Sequence, residues 1–255
     1  MKTLIRYDAT YFLKTPRWLV FVGLAVFLAS LSIVTARYLD VLIEYALRAE
    51  GVENIDFPPP SVHDAYEQFF SNMTQLYTLV VVFVAAAFFT KDFTRQYLAF
   101  VFVKPISRLQ YAVSKLVVLN SVWFAALVLG SVLFAFQTAA VFPGFHPGRF
   151  ALATLAFAVF LKLLVAIACF SSFAFKSFLG GALPALVVFF LFTGLSMVEA
   201  GALRYLPSHL CNLPLRIMAG EASLRPALSA VILSTVLATG LFSMAVTILK
   251  RRSLT

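Results

Sequence analysis

Six long apolar stretches dominate this chain and constrain its fold more than any other feature. They cover 18–36, 73–89, 111–139, 150–175, 178–198 and 227–249. A helix needs about 20 apolar residues to cross a hydrocarbon core ~30 Å thick, and these stretches are close to that length or longer. Lipid offers no water to satisfy backbone N–H and C=O groups, so a spanning segment must be a helix or part of a closed barrel. The short alternating segments of a barrel are absent. With 62% of its 255 residues hydrophobic, 12% charged and a mean hydropathy of +0.94, the chain has more apolar surface than a soluble fold can hide. The sequence predicts an all-α membrane protein with six transmembrane helices in a single transmembrane domain over 1–255.

The placement of charge predicts orientation. If the N-terminus is cytoplasmic, thirteen of the 20 basic residues fall on the inner side: Lys2, Arg6, Lys14, Arg17, Lys91, Arg95, Lys104, Arg108, Lys115, Lys176, Lys250, Arg251 and Arg252. Only Asp8 and Asp92 of the eleven acidic residues share that side. This is the asymmetry of the positive-inside rule, and it places both termini in the cytoplasm of a multi-pass protein of the cell (inner) membrane. It also accounts for the net charge of +9 without a nucleic-acid partner.

The segments between the spans differ in character. Residues 1–17 carry Lys2, Arg6, Thr10 and Lys14 at helical spacing, with Leu4, Ile5, Tyr11 and Phe12 elsewhere around the helix. That pattern predicts an interfacial helix. A cleaved signal peptide fits less well, because the basic region contains aromatics and the apolar run is long. Residues 37–72 read as the main outer loop; its early part extends the first helix until Pro58-Pro59-Pro60 ends it. Residues 199–226 hold many leucines punctuated by Pro207, Pro214 and Gly220, which suits either short semi-buried outer helices or a collapsed loop. Cys169, late in a span, and Cys211, in an outer segment, are expected to lie too far apart to bond.

Catalytic signatures are missing from the sequence. Lys176-Ser177 lacks the preceding glycine of a phosphate-binding loop, and there is no His-Glu-x-x-His zinc motif. His63, His146 and His209 fall in different outer loops, so no metal site is predicted. One ionisable residue, Lys162, lies inside a span, where a charge is a functional candidate by default. It can line a translocation path, snorkel toward phosphates, or pair with Glu199.

The inner loop 91–108 is the most informative segment. Lys91-Asp92-Phe93-Thr94-Arg95-Gln96-Tyr97-Leu98 is followed by apolar 99–103, then Lys104-Pro105-Ile106-Ser107-Arg108, with Tyr111 and Lys115 as the third span begins. Physically this is a short surface helix with basic ends and a turn at Pro105, and Ser107 is placed to cap the next helix. The segment resembles the cytoplasmic loop of type 2 ATP-binding-cassette permeases, the membrane subunits of exporters whose ATPase is a separate polypeptide. Asp92 stands where that family has Glu, Pro105-Ile106-Ser107-Arg108 matches its Pro-Val/Ile-Ser-Arg, and Lys115 matches its later lysine. Arg95-Gln96-Tyr97 departs from the usual Gly-Thr.

The resemblance implies a coupling helix between spans two and three that docks into an ATPase groove, with Asp92, Arg95, Phe100, Lys104, Pro105, Ser107 and Arg108 as coupling residues. It further implies a permease without its own ATPase site. ATP and Mg would bind in two cytoplasmic ATPase subunits, and a second permease copy would complete a homodimer within the membrane lipids. Two alternatives stand beside it. One is an ATPase-independent secondary transporter or channel, which would normally show several polar groups along its spans. The other is a non-transporting scaffold that relays ATPase movement to an outer partner.

Overall fold

The computed structural model describes residues 1–49, 59–94, 106–198, 201 and 203–251, and all its regular elements are helical. Helix α1 spans Lys2–Lys14 and α2 spans Arg17–Ala49. Helix α3, Val62–Asn72, passes through a π-helical turn at Met73–Tyr77 into α4, Thr78–Thr94. Then come α5, Arg108–Val141, α6, Pro147–Phe175, and α7, Phe178–Ser196. Two 3-10 turns, Leu203–Tyr205 and Pro207–Cys211, lead into the short α8, Leu213–Ala219, and α9 closes the fold at Leu224–Arg251. Among the described residues, six helices are long and apolar enough to cross a membrane: Arg17–Tyr38 of α2, Val62–Phe93 of α3 and α4, then α5, α6, α7 and α9.

Helix ends follow local chemistry. Ser107 and Gln110 form a capping box at the start of α5, each side chain bonding the other's backbone N–H, so the cap expected at Ser107 is present. Ser61 and Asp64 do the same for α3. Lys176, at φ 54°, ends α6 in the left-handed region, and the hydroxyl of Ser177 at once accepts from the N–H of Gly180 to start α7. That tight turn makes α6 and α7 antiparallel neighbours.

Part of the stretch read as an outer loop is helical. The structure carries α2 to Ala49, and α3 buries Ala65, Tyr66, Phe69 and Phe70 beneath a polar exterior. Phe69 stacks on Phe134 at 4.2 Å between ring centroids, and Phe150 lies 5.3 Å from Phe134 and 5.5 Å from Phe69. Contacts of this kind add to the area that aromatic rings bury. The π turn follows, and from it the buried Tyr77 donates a 2.7 Å hydrogen bond to the carbonyl of Trp123. In 199–226 the described residues form short helices that bury Ser208, His209, Leu210, Leu213, Ile217 and Met218. Burial and the neighbouring Arg216 and Arg204 hold the His209 imidazole below its ordinary pKa.

Helix α6 lies at the centre of the bundle, with 72% of its most apolar window buried, against 22% for α7 and α9. It packs on α4, α7, α8 and α9, while α2 packs chiefly along α5. The α2–α5 pair meets at Gly130, where a Cβ would lie 2.9 Å from both the Cβ and the carbonyl oxygen of Ala25. Helices in lipid gain stability from such close approach, which only small residues permit. Both cysteines are free and buried.

Because the obstacle at Gly130 includes backbone, Gly130→Val forces α2 and α5 apart. We expect it to cost about 1–3 kcal/mol, the range for overpacking a close-packed site. Thermal unfolding in detergent measures this, with Gly23→Ala as the control, since nothing lies within 4 Å of a Cβ there.

Candidate functional site

Three short helical faces converge where α1, the end of α4 and the start of α5 meet. Each is built from residues at i, i+3 and i+4, which share one side of a helix. The faces are Asp8, Tyr11 and Phe12 on α1; Phe88, Lys91 and Asp92 on α4; and Tyr111, Ser114 and Lys115 on α5. On α1 the stripe of Lys2, Arg6, Thr10 and Lys14 is exposed, while Asp8 and Phe12 turn inward.

Asp92 and Lys115 form the inner pair. Lys115 Nζ lies 2.8 Å from Asp92 Oδ2 and donates to the carbonyl of Phe88 at 3.2 Å. The same Asp92 oxygen accepts from the Tyr111 hydroxyl at 2.7 Å. Lys115 is wholly buried and Asp92 is 8% exposed. Beside them, Lys91 Nζ lies 3.3 Å from Asp8 Oδ1, and the Ser114 hydroxyl lies 3.1 Å from Asp8 Oδ2.

Aromatic faces complete the cage. Lys91 sits 3.6 Å from the Tyr11 ring centroid, and both ammonium groups approach Phe88, Lys91 at 4.6 Å and Lys115 at 4.5 Å. Ring quadrupoles attract cations most where water is excluded. Phe88 in turn packs on Phe12 at 4.7 Å, so one ring joins the charges to the apolar face of α1.

The cluster has two acids and two bases, each with a partner of opposite sign. Burying single ions is expensive, and only close pairing with further hydrogen bonds offsets it. What the arrangement does is mechanical: it ties three helices together at the point where α4 ends and α5 begins. Arg108 adds a fourth. Its guanidinium donates to the carbonyls of Leu249 and Lys250 at 2.6 and 2.5 Å, placing a cation at the C-terminus of α9. Asp92 and Arg108, both expected at an intermolecular interface, thus make these contacts within the chain. Arg95, Phe100, Lys104 and Pro105 lie outside the described residues, as does Glu199.

Ser114 carries no motif in the sequence, and Asp8, Lys91 and Tyr111 stand out there only by charge or by flanking the inner loop, with no role attached. The available signal was Asp8 itself, a lone acid in a basic helix and one of only two acids on the basic side of the chain. Lys162 is not part of this cluster. It is exposed on α6, about 21 Å along the helix from Lys176 at 1.5 Å per residue, beside Asn120, Ser121 and Trp123 of α5. A lysine facing lipid at such depth costs about 2.5–3.5 kcal/mol or more. Among the described residues no group of three or more His, Cys, Asp and Glu is arranged to hold a metal ion. No protein-family model and no curated protein sequence matches the chain.

Removing one ion of a buried pair strands the other, so Lys115→Met is expected to destabilise the fold by about 3–5 kcal/mol. Adding Asp92→Asn should recover at least half of that loss in thermal unfolding. A loss in the double variant equal to the sum of the Lys115→Met and Asp92→Asn losses would show that the pair is not coupled.

Proposed function

We propose that this chain is the membrane-spanning subunit of an ATP-driven exporter of the type 2 ATP-binding-cassette class. It works with two separate cytoplasmic ATPase subunits, which bind ATP and Mg, and with a second copy of itself. The N- and C-termini and the 95–105 segment are cytoplasmic in this reading, and the membrane is the cell's inner membrane.

One observation carries the reading. The acidic residue and the lysine that mark the resemblance, Asp92 and Lys115, lie on either side of the 95–105 segment in sequence and 2.8 Å apart in space. An ion pair therefore closes the base of the loop that would dock on the ATPase. A push on a loop hinged in this way moves α4 and α5 together rather than bending one of them. Through Asp8, Lys91 and Arg108 the push also reaches α1 and α9. Arg95, Phe100 and Lys104 are the proposed docking residues, with Phe100 as the apolar anchor. The Ser107 cap fixes where α5 begins.

The test is affinity purification in mild detergent from the native membrane, followed by mass identification and an ATPase assay. A soluble ATPase in equal number to this chain is expected. A Phe100→Ala, Lys104→Glu variant should lose it while keeping the wild-type unfolding temperature. A chain that purifies alone and moves solute across vesicles without nucleotide would overturn the proposal.

A further inference from the structure

We infer that the groove between α5 and α6 binds a membrane amphiphile with an anionic head, the head at Lys162 and the apolar body running toward the end of the bundle that carries Phe145 and Pro147. This concerns occupancy of the groove and stands independently of the ATP-driven reading.

Two adjoining cavities form the groove. The first, about 470 Å³, is lined by Asn120, Ser121, Trp123 and Lys162. The second, about 330 Å³, is lined by apolar side chains together with Ser131 and Thr154. Phe124 and Leu155 border both, so the two cavities are neighbours along the α5–α6 seam.

The chemistry changes along the groove. At the first cavity the polar groups are mainly donors. Asn120 Oδ1 is taken by the Trp123 indole N–H at 2.9 Å, which leaves its amide N–H groups beside the Lys162 ammonium. No Asp or Glu lines either cavity among the described residues, and Asp8 and Asp92 are paired with Lys91 and Lys115. An anionic occupant supplies the charge opposite Lys162 that no side chain lining the two cavities provides. A carboxylate or phosphate suits an ammonium flanked by amide donors. For a lysine this deep in a span, an anionic partner offsets the cost of facing acyl chains.

The second cavity is apolar. Ser131 and Thr154 lie along it but are only 6% and 7% exposed, and their hydroxyl oxygens are enclosed by protein, so the wall that an occupant meets there is hydrocarbon. Thr154 is eight residues from Lys162, about 12 Å along α6 at 1.5 Å per residue. The occupant is thus elongated, anionic at one end and apolar along its length.

The chain has two tryptophans, so Trp18→Phe leaves Trp123 as the sole reporter, placed in the groove wall. The full chain is reconstituted in bilayers doped with chain-brominated phosphatidylglycerol, brominated fatty acid or brominated phosphatidylcholine, and quenching of Trp123 is measured. At least one anionic probe should reach half-maximal quenching at about fivefold lower mole fraction than the zwitterionic one, the factor that one lysine supplies against an anionic head. Lys162→Arg should keep the preference and Lys162→Met should abolish it. Equal quenching by all three probes, protection from all three as under a second copy of the chain, or a preference that survives Lys162→Met would each overturn the inference.

Discussion

Charges removed from water must be matched, and the buried Lys115 is the point from which the organisation of the basic end follows. A wholly enclosed ammonium is tolerable only with a carboxylate close by and its remaining protons directed at acceptors. Asp92 and the Phe88 carbonyl meet that need. Their geometry fixes the end of α4 against the start of α5, and Tyr111 holds the carboxylate from the α5 side. Lys91, one residue before Asp92, introduces a second cation beside the same Phe88 ring, and Asp8 of α1 balances it. Helix α1 is therefore held by an ion pair as well as by the insertion of Phe12, and its exposed basic stripe faces away from the bundle.

The rest of the fold relies on different forces. At the opposite end the core is aromatic, with Tyr66, Phe69, Phe134 and Phe150 packed together and α3 serving as the wall that holds them. In the middle, close backbone approach dominates at Gly130 against Ala25, and beside the turn between α6 and α7 Gly181 leaves room for the Ser172 and Ala86 side chains. Hydrophobic burial contributes less between helices in lipid than in water, because the surroundings are as apolar as the core. Polar contacts and tight packing carry more of the specificity, which is why the bundle is tied at one end by charges and in its interior by small residues.

Much of this was legible in the sequence, for identifiable reasons. Six spans could be read because lipid demands an unbroken apolar stretch of minimum length, a signal independent of tertiary context. The Ser107 cap could be read because capping is local chemistry. Helix α3 was less legible: its buried residues fall in two pairs, Ala65-Tyr66 and Phe69-Phe70, among polar neighbours, and their burial depends on Phe134 and Phe150 far along the chain. The π turn left no trace in composition. Asp92 and Lys115 were singled out through resemblance, but their contact depends on the antiparallel placement of α4 and α5, and the role of Asp8 depends on how α1 is seated. Lys162 was recognisable as an intramembrane charge, yet α6 is apolar on every side, so no periodicity revealed which face it occupies.

The central claim is that paired buried charges, more than apolar packing alone, hold α1, α4 and α5 as one unit. Backbone hydrogen exchange of the reconstituted chain, compared with an Asp8→Asn variant, tests it most directly. The claim predicts that α1 amides exchange about tenfold faster or more in the variant, corresponding to ~1.4 kcal/mol or more of lost local stability, while the shared core of α2 and α5 around Gly130 is unchanged. Unaltered protection of α1 would contradict it and leave the apolar contact of Phe12 as the sufficient anchor.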